Sequence, residues 1–537
     1  MSMTCGEATM RLLANYGVTT VFGIPGVHTL DICRGLTGGG NSGALRHVQT
    51  RNEQGAGFMA EGWARATGEV GVAVVISGPG VTNAATALGQ CYADSLPMLL
   101  ISAEPDSHTI GKGWGVLHEI TEQKKVTEPL TALSATARRA ADVPELLAQA
   151  FSIFASQRPR PVHISLPMDV QAEMVEGDWQ PVRLPDRPEP AAGKLPTAAA
   201  MLKDAQRPVI MVGGGATEAS GGLAKAVERC GAVVISSTAG KGILPDDHPL
   251  HLSGSTVRPE VRDYLATADV ILAVGTELAE TDSFVERLEL NGDLIRLDID
   301  PHKINDFYPA TLGIIGDAGP SMDDLAAYLS DHDCRAVRAA GTAAVASIRE
   351  QIRANLTVSE RKHLKFLNIL REVAPERTVF SGDACQLVYT GAFAFDVQKP
   401  RQWFYPAGFC ALGNGLPNAV GAKMARPETP VVVLAGDGGF MFTMPELMVA
   451  AELGLSLPII IWENGGLKQI QDDMDLRSIQ RVGVDGMNPD FVALAQACQC
   501  HAHRPESEKA FRNAFGAALS ADRPTVIVVQ EEAEWLR

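Results

Sequence analysis

The sequence predicts an α/β protein built from three doubly wound parallel-sheet domains. Short, continuous apolar runs recur along the chain, each closing on glycine or an Asp or Asn turn, with longer stretches of helical composition between them. A run of about four to eight apolar residues bounded by turn signals reads as a strand buried on both faces, the habit of parallel sheets covered by helices. The alternation occurs three times over 537 residues, a length that accommodates two to four domains of roughly 150 residues each.

Taken in order, the first unit (residues 1–185) opens with a helix after residue 4. Strands are expected at 21–23, 72–76 and 98–102, and a helix opens at Glu53. Residues 179–196 carry prolines at 181, 185, 188, 190 and 196 with little apolar periodicity, which reads as a linker. The second unit (195–330) has strand patterns at 208–212, 232–236, 270–275 and 294–300 and closes near Asp317. Residues 336–366, alanine-rich in their first half, read as helix and lead into the third unit (360–537). There the strand patterns lie at 431–435, 457–462 and 524–529.

Composition narrows the function. Hydrophobic residues make up 46% and charged residues 20%, and no apolar stretch reaches the roughly 18 residues a membrane span requires. A net charge of −17 argues against a nucleic-acid partner. Residues 1–10 lack a basic segment followed by an apolar one, and nine cysteines in no regular framework fit reduced thiols, so cytoplasm is the expected compartment.

The most telling pair of turns lies in the third unit. One strand empties into Gly436-Asp437-Gly438-Gly439-Phe440, and the next ends at Asn464, 27 residues on. Strands of one parallel sheet would bring Asp437 and Asn464 to the same edge with one helix between them. Glycine amides there would approach an anion, and a carboxylate with amide and carbonyl oxygens suits a hard divalent cation. Asp-Gly and Asn-Gly pairs also serve as plain turns, so this motif alone does not decide the chemistry.

With three N-terminal segments added, a resemblance emerges. Gly23-Ile24-Pro25-Gly26 after a strand, Arg51-Asn52-Glu53-Gln54-Gly55-Ala56 opening a helix, and Ser77-Gly78-Pro79-Gly80-Val81-Thr82-Asn83 after another strand resemble, with the GDG turn, the thiamine diphosphate enzymes of the acetolactate synthase and 2-oxo acid decarboxylase superfamily. The resemblance implies thiamine diphosphate and Mg²⁺ as cofactors. It puts the metal on Asp437, Asn464 and the backbone oxygen of Gly466, and the rest of the cofactor against Pro25, Gly26, Glu53, Pro79, Asn83, Leu412, Gly436, Gly438 and Gly439. Leu412 would force the cofactor's two rings into a V. Glu53 would exchange a proton with the aminopyrimidine, and the small apolar run Gly55 to Ala60 is expected to raise its carboxyl pKa. His28 and His118 are the further catalytic candidates.

The chemistry so implied is non-oxidative decarboxylation of a 2-oxo acid to an aldehyde, with an acetolactate synthase-like carboligase and a flavin-linked oxidase as alternatives; FAD belongs only to the last of these. The segments around residues 23–30, 111–119 and 482–485 most resemble the 5-guanidino-2-oxopentanoate decarboxylase branch. Asp472, Asp473 or Glu119 would face the cationic tail, although the two aspartates read equally as solvated helix residues. The family also implies a homodimer or homotetramer with active sites at the subunit interface, and no membrane partner.

Several features depart from the pattern. Glu463 precedes Asn464 where many relatives carry asparagine; neighbouring strand residues face opposite ways, so it need not displace the ligand. His108 lies where pyruvate decarboxylases keep a histidine pair, but Ser107 takes the partner's place. Gly213-Gly214-Gly215-Ala216 suggests dinucleotide binding, yet Glu218 breaks the G-x-G-x-x-G pattern. Cys498, Cys500, His501 and His503 have no standard zinc spacing.

Overall fold

The computed structural model describes residues 2–36 and 45–537. Each domain is built on a six-stranded, wholly parallel sheet clothed in helices, and the first adds a small antiparallel pair of Ser2–Thr4 with Met174–Glu176. Numbering strands by chain order within their own sheet, the first runs 2-1-3-4-6-5: Arg46–Gln49, Thr20–Gly23, Gly71–Val75, Met98–Glu104, Val162–Pro167 and Leu133–Thr136. The third repeats that order with Trp403–Phe404, Val379–Gly382, Val431–Gly436, Pro458–Glu463, Thr525–Gln530 and His501–His503. The central sheet differs, running 3-2-1-4-5-6 with Pro208–Val212 and Val270–Val274 in the middle.

The middle strands are buried along their whole length, as in GVAVV at Gly71–Val75 and VVVLAG at Val431–Gly436. Helices on both faces leave no wet side, which is why these strands read as unbroken apolar runs. In the outer sheets the order reverses between the first and third strands. Open α/β sheets bind ligands in the crevice at such a switch point. The Pro25-Gly26 and Ser77-Gly78-Pro79 turns lie there in the first sheet, and Asp383 and the GDG turn lie there in the third.

The outer domains share a core. Phe22, Ala60 and Leu100 from the first pack in one cluster with Leu416, Val433 and Ile459 from the third. At its centre the helices Glu53–Thr67 and Gly415–Ala425 cross so closely that a Cβ on Gly62 would overlap the Asn418 carbonyl, and one on Gly421 that of Met59. Only glycine fits at either crossing.

Three expectations need adjustment. The connection from the central domain is two helices, Arg335–Ala354 and Val358–Val373, because Thr357 caps a new start with Glu360 in a reciprocal capping box. Between Asp437 and Asn464 lie two short helices, Asp437–Thr443 and Glu446–Glu452, interrupted at Pro445. Residues 178–191 contain no helix or strand, and the first central helix already begins at Lys194. Among the described residues no helix is long and apolar enough to cross a membrane.

Candidate active site

The first half of the site is built on the N-terminal sheet. Asn52 caps the helix Glu53–Thr67 by accepting from the Gln54 amide at 2.8 Å, which sets Glu53 in its first turn. Asn83, one turn into the helix Pro79–Ala93, donates to Glu53 Oε2 at 2.9 Å. Glu53 is only half-buried, because the residues Gly55 to Ala60 turn into the shared core rather than enclosing it. Burial pushes the carboxyl of Glu446, from the third domain, up to about 7. Glu446 is 1% exposed and accepts from the amides of Arg51 at 3.1 Å and Asn52 at 2.9 Å.

His28 and His118 come together. Their rings lie 5.1 Å apart at 64°. His28 is 5% exposed and its Nδ1 lies 2.5 Å from Ser77 Oγ. Burial, then the charge of His118, lowers its pKa. His118 adopts φ +62°, a left-handed conformation that costs a non-glycine residue on the order of 1 kcal/mol or more, and its buried Nδ1 has no hydrogen-bond partner. Gln123 braces the adjoining turn, accepting from Gly78 N at 2.8 Å while donating to Ala103 O at 2.8 Å and Ser102 Oγ at 3.0 Å.

The second half lies on the C-terminal sheet. Asp437 is fully buried, and its Oδ2 accepts from the backbone amides of Asn464 (3.2 Å), Gly465 (2.8 Å) and Gly466 (3.2 Å) and from Asn488 Nδ2 (2.8 Å). Consecutive positive φ values at Gly465 (+87°) and Gly466 (+120°) let these amides converge. Gly436 caps the helix Asp437–Thr443, and the Gly438 amide donates to Asp437 Oδ1. A Cβ on Gly438 would lie 3.4 Å from the Gly466 carbonyl oxygen, so that carbonyl faces the same helix start. Asn464 donates its side-chain N–H to Glu531, which leaves its oxygen as the end available to a cation. One carboxylate, one amide oxygen and one carbonyl form a hard donor set that fits Mg²⁺. A Cβ on Gly439 would sit 3.5 Å from Leu412 Cδ2, so Leu412 stands over the glycine turn, just ahead of the helix Gly415–Ala425.

Other candidates are accounted for elsewhere. Glu463 pairs with Arg504 at 2.5 Å and is turned out of the oxygen-donor set. Asp472 is tied to Lys468 and Gln386, and Glu119 holds its own loop, accepting from Gly113 N (2.8 Å) and Gly115 N (2.6 Å). Asp473 accepts from Gln469 Nε2 at 3.4 Å, so each of the three carboxylates already has a partner on the protein. His108 packs 6.4 Å from Trp114, and Ser107 is bonded to Asp169. Cys498 to His503 form a helix-to-strand turn in which Cys500 donates to the Cys498 carbonyl. Among the described residues no group of three or more His, Cys, Asp or Glu could hold a metal.

Sequence reasoning missed Asp383, Asn488, Glu446, Gln123 and Glu531. Asp383 accepts from Gly413 N and Gly415 N at 3.0 and 3.2 Å, fixing the Leu412 turn, and burial raises its pKa. Glu531 follows an apolar strand, as Asn464 does. That parallel was the available signal.

A cavity of about 690 Å³ lies away from this site. It opens at the switch point of the central sheet, beside Gly213, Gly275 and Asp298, and Arg158 and Arg160 of the first domain also line it.

Comparison with known proteins agrees with this layout. Residues 3–126 match the thiamine pyrophosphate enzyme N-terminal TPP binding domain, 195–325 its central domain, and 383–529 its C-terminal TPP binding domain. A probable 2-ketoarginine decarboxylase of Pseudomonas aeruginosa is 48% identical over 96% of this chain and 92% of its own length. The acetolactate synthase isozyme 3 large subunit of Escherichia coli is 31% identical, covering 93% and 89%, and a probable acetolactate synthase large subunit of Methanocaldococcus jannaschii 30%, covering 99% and 93%.

Proposed function

The chain belongs to the thiamine pyrophosphate enzyme family, and from that premise we propose that it decarboxylates a 2-oxo acid to an aldehyde, with 5-guanidino-2-oxopentanoate as the substrate to test first. The observation that carries this reading is the intact oxygen-donor turn of Asp437, Asn464 and Gly466 in a chain 48% identical to a probable 2-ketoarginine decarboxylase. Bound thiamine diphosphate supplies a carbon nucleophile for the substrate carbonyl and a sink for the electrons left when carbon dioxide departs.

The protein's own contribution divides between the two halves. Asp437, Asn464 and the Gly466 carbonyl would hold Mg²⁺, and the amides of Gly438 and Gly439, at a helix start, would face the diphosphate. Leu412 would set the angle between the rings. Glu53, steadied by Asn83, would exchange the aminopyrimidine proton, with Pro25, Gly26 and Pro79 shaping the backbone around it. His28, held against Ser77, and His118 beside it would be the side chains placed to exchange a proton at the product carbon.

Each half has an apolar rim open to solvent: Val27 is 60% exposed and Trp114 64% on the first, Phe442 57% and Met487 99% on the second. Patches of this kind mark interaction surfaces. We assign them to a second copy of the chain, so that Glu53 of one subunit meets Asp437 of the other in a homodimer, which two such dimers extend to a tetramer. Mixing Glu53→Gln with Asp437→Ala subunits should restore activity; no rescue in verified mixed dimers defeats shared sites. All nine cysteines are free, which supports a reducing compartment such as the cytoplasm.

The central cavity favours one further reading. A pocket at a sheet switch point with glycine turns suits a nucleotide-type ligand, so a flavin-linked oxidase is the alternative that a yellow purified protein would support. The deciding experiment is a panel of 2-oxo acids with carbon dioxide, aldehyde and acetolactate measured in parallel. Aldehyde from the guanidino compound supports the proposal, whereas acetolactate from pyruvate, with the guanidino compound inert, replaces it with a carboligase.

A further inference from the structure

We propose that Glu531 is a positioning residue for the divalent cation, fixing which end of the Asn464 side-chain amide faces the metal. The inference rests on the reading that Asp437, Asn464 and Gly466 hold Mg²⁺. Glu531 stands one residue past the strand Thr525–Gln530, whose parallel register pairs Gln530 with Glu463. The next residues along each strand, Glu531 and Asn464, are therefore neighbours at the sheet edge. Glu531 is 4% exposed, and its Oε2 accepts from Asn464 Nδ2 at 3.0 Å and from Trp462 Nε1 at 3.1 Å.

The argument turns on the symmetry of an amide. Its oxygen and nitrogen ends are nearly equal in size, so packing alone does not choose between them. An ionised carboxylate only accepts, so the end of Asn464 that meets Glu531 must be the donor, and the oxygen is left for the cation. The reversed amide would set two N–H bonds against a positive ion. Glu531 is itself held in place: its backbone amide donates to the Glu463 carbonyl at 3.1 Å. The Trp462 indole, which bonds the same oxygen, is wedged between His363 and Phe366 at ring distances of 5.4 and 5.2 Å. The orientation of a metal ligand is thus determined from 67 residues away in sequence.

The test measures cofactor binding rather than turnover. The Mg²⁺ concentration for half-maximal binding of thiamine diphosphate is read by calorimetry and by tryptophan fluorescence, in the wild type and in five variants. Glu531→Ala should raise it about 10- to 100-fold, the usual cost of losing a residue that orients a metal ligand. Glu531→Gln keeps an acceptor oxygen for Asn464 and should stay within about threefold of wild type. Asn464→Asp should bind poorly beside Glu531, where two carboxylates meet, and should recover when combined with Glu531→Gln. An unchanged value in Glu531→Ala, an equal loss in Glu531→Gln, or no recovery in the double variant each overturns the proposal. Should Glu531→Ala fail to fold, the Asn464→Asp pair decides. Asp437→Ala separates the two levels of inference: if it keeps Mg²⁺-dependent binding, the metal site itself is wrong, whereas if it alone loses binding, only the role of Glu531 falls.

Discussion

The first and third domains share one strand order, 2-1-3-4-6-5, yet offer opposite chemistry. In each, the third strand empties into a glycine turn, Ser77-Gly78-Pro79 in one and Gly436-Asp437-Gly438 in the other. The helices that follow the second strand in each, Glu53–Thr67 and Gly415–Ala425, pack on one another at the centre of the shared core. The twins diverge at the sheet edge. The N-terminal edge presents a half-buried carboxyl and two histidines, groups that move protons; the C-terminal edge presents amides and oxygen donors, groups that hold charge. On the proposed reading, one scaffold would supply proton transfer at one end and anchoring at the other, because the turns differ while the sheets do not.

The strongest way to break this comparison is to disable each edge separately. Glu53→Gln should keep the cofactor and lose roughly two to four orders of magnitude in turnover, the usual contribution of a positioned acid-base group. Asp437→Ala should instead lose the cofactor. Hydrogen–deuterium exchange at the cofactor's C2, followed by NMR, locates the first defect; wild-type exchange in Glu53→Gln removes the assignment. If both variants fail to bind, the division of labour is wrong.

A second test addresses anchoring alone. With Mg²⁺ present, thiamine diphosphate at about 100 times its dissociation constant should stabilise the protein by roughly 2.7 kcal/mol. With a chelator it should add nothing, because Asp437 and the diphosphate repel one another without a cation between them. Equal melting curves under both conditions would mean that the amides of residues 464–466 suffice.

How much of this was legible in the sequence follows from the reach of each interaction. Buried parallel strands announce themselves locally, so the alternation and the Asp437 and Asn464 turns could be read directly. Strand order could not, since the pairing of Val431–Gly436 with Val379–Gly382 and Pro458–Glu463 leaves no trace in composition. Residues whose role depends on that order were therefore missed: Glu531 bonds Asn464 across 67 positions, and Gly78 donates to Gln123 across 45. Family resemblance implies which residues would touch the cofactor; those that brace them became visible only in the fold. Glu53 is half-buried in the single chain because its apolar neighbours along the helix face the core.

The last test sharpens the comparison at a second pair, the glutamates opening helices in the two outer domains. Glu53 opens Glu53–Thr67 and is half-buried; Glu446 opens Glu446–Glu452 and is almost wholly buried, with a pKa pushed from 4.5 to about 7. A carboxyl raised in the folded state binds more protons there than in the unfolded chain, so stability is lost as pH rises from about 4.5 to 7. A shift of this size corresponds to at most about 3 kcal/mol. Glu61, also pushed to about 7, and Asp282, to about 6, act in the same direction, while His163, held down at about 3, adds stability as pH rises from about 3 to 6.5. Comparing Glu446→Gln with wild type subtracts these shared contributions. The variant should match wild type near pH 4, where Glu446 is neutral in the fold and largely so in the unfolded chain, and be the more stable at pH 8, with a higher urea midpoint. An equal difference at both pH values would show that the two amides of Arg51 and Asn52 outweigh burial at this helix start.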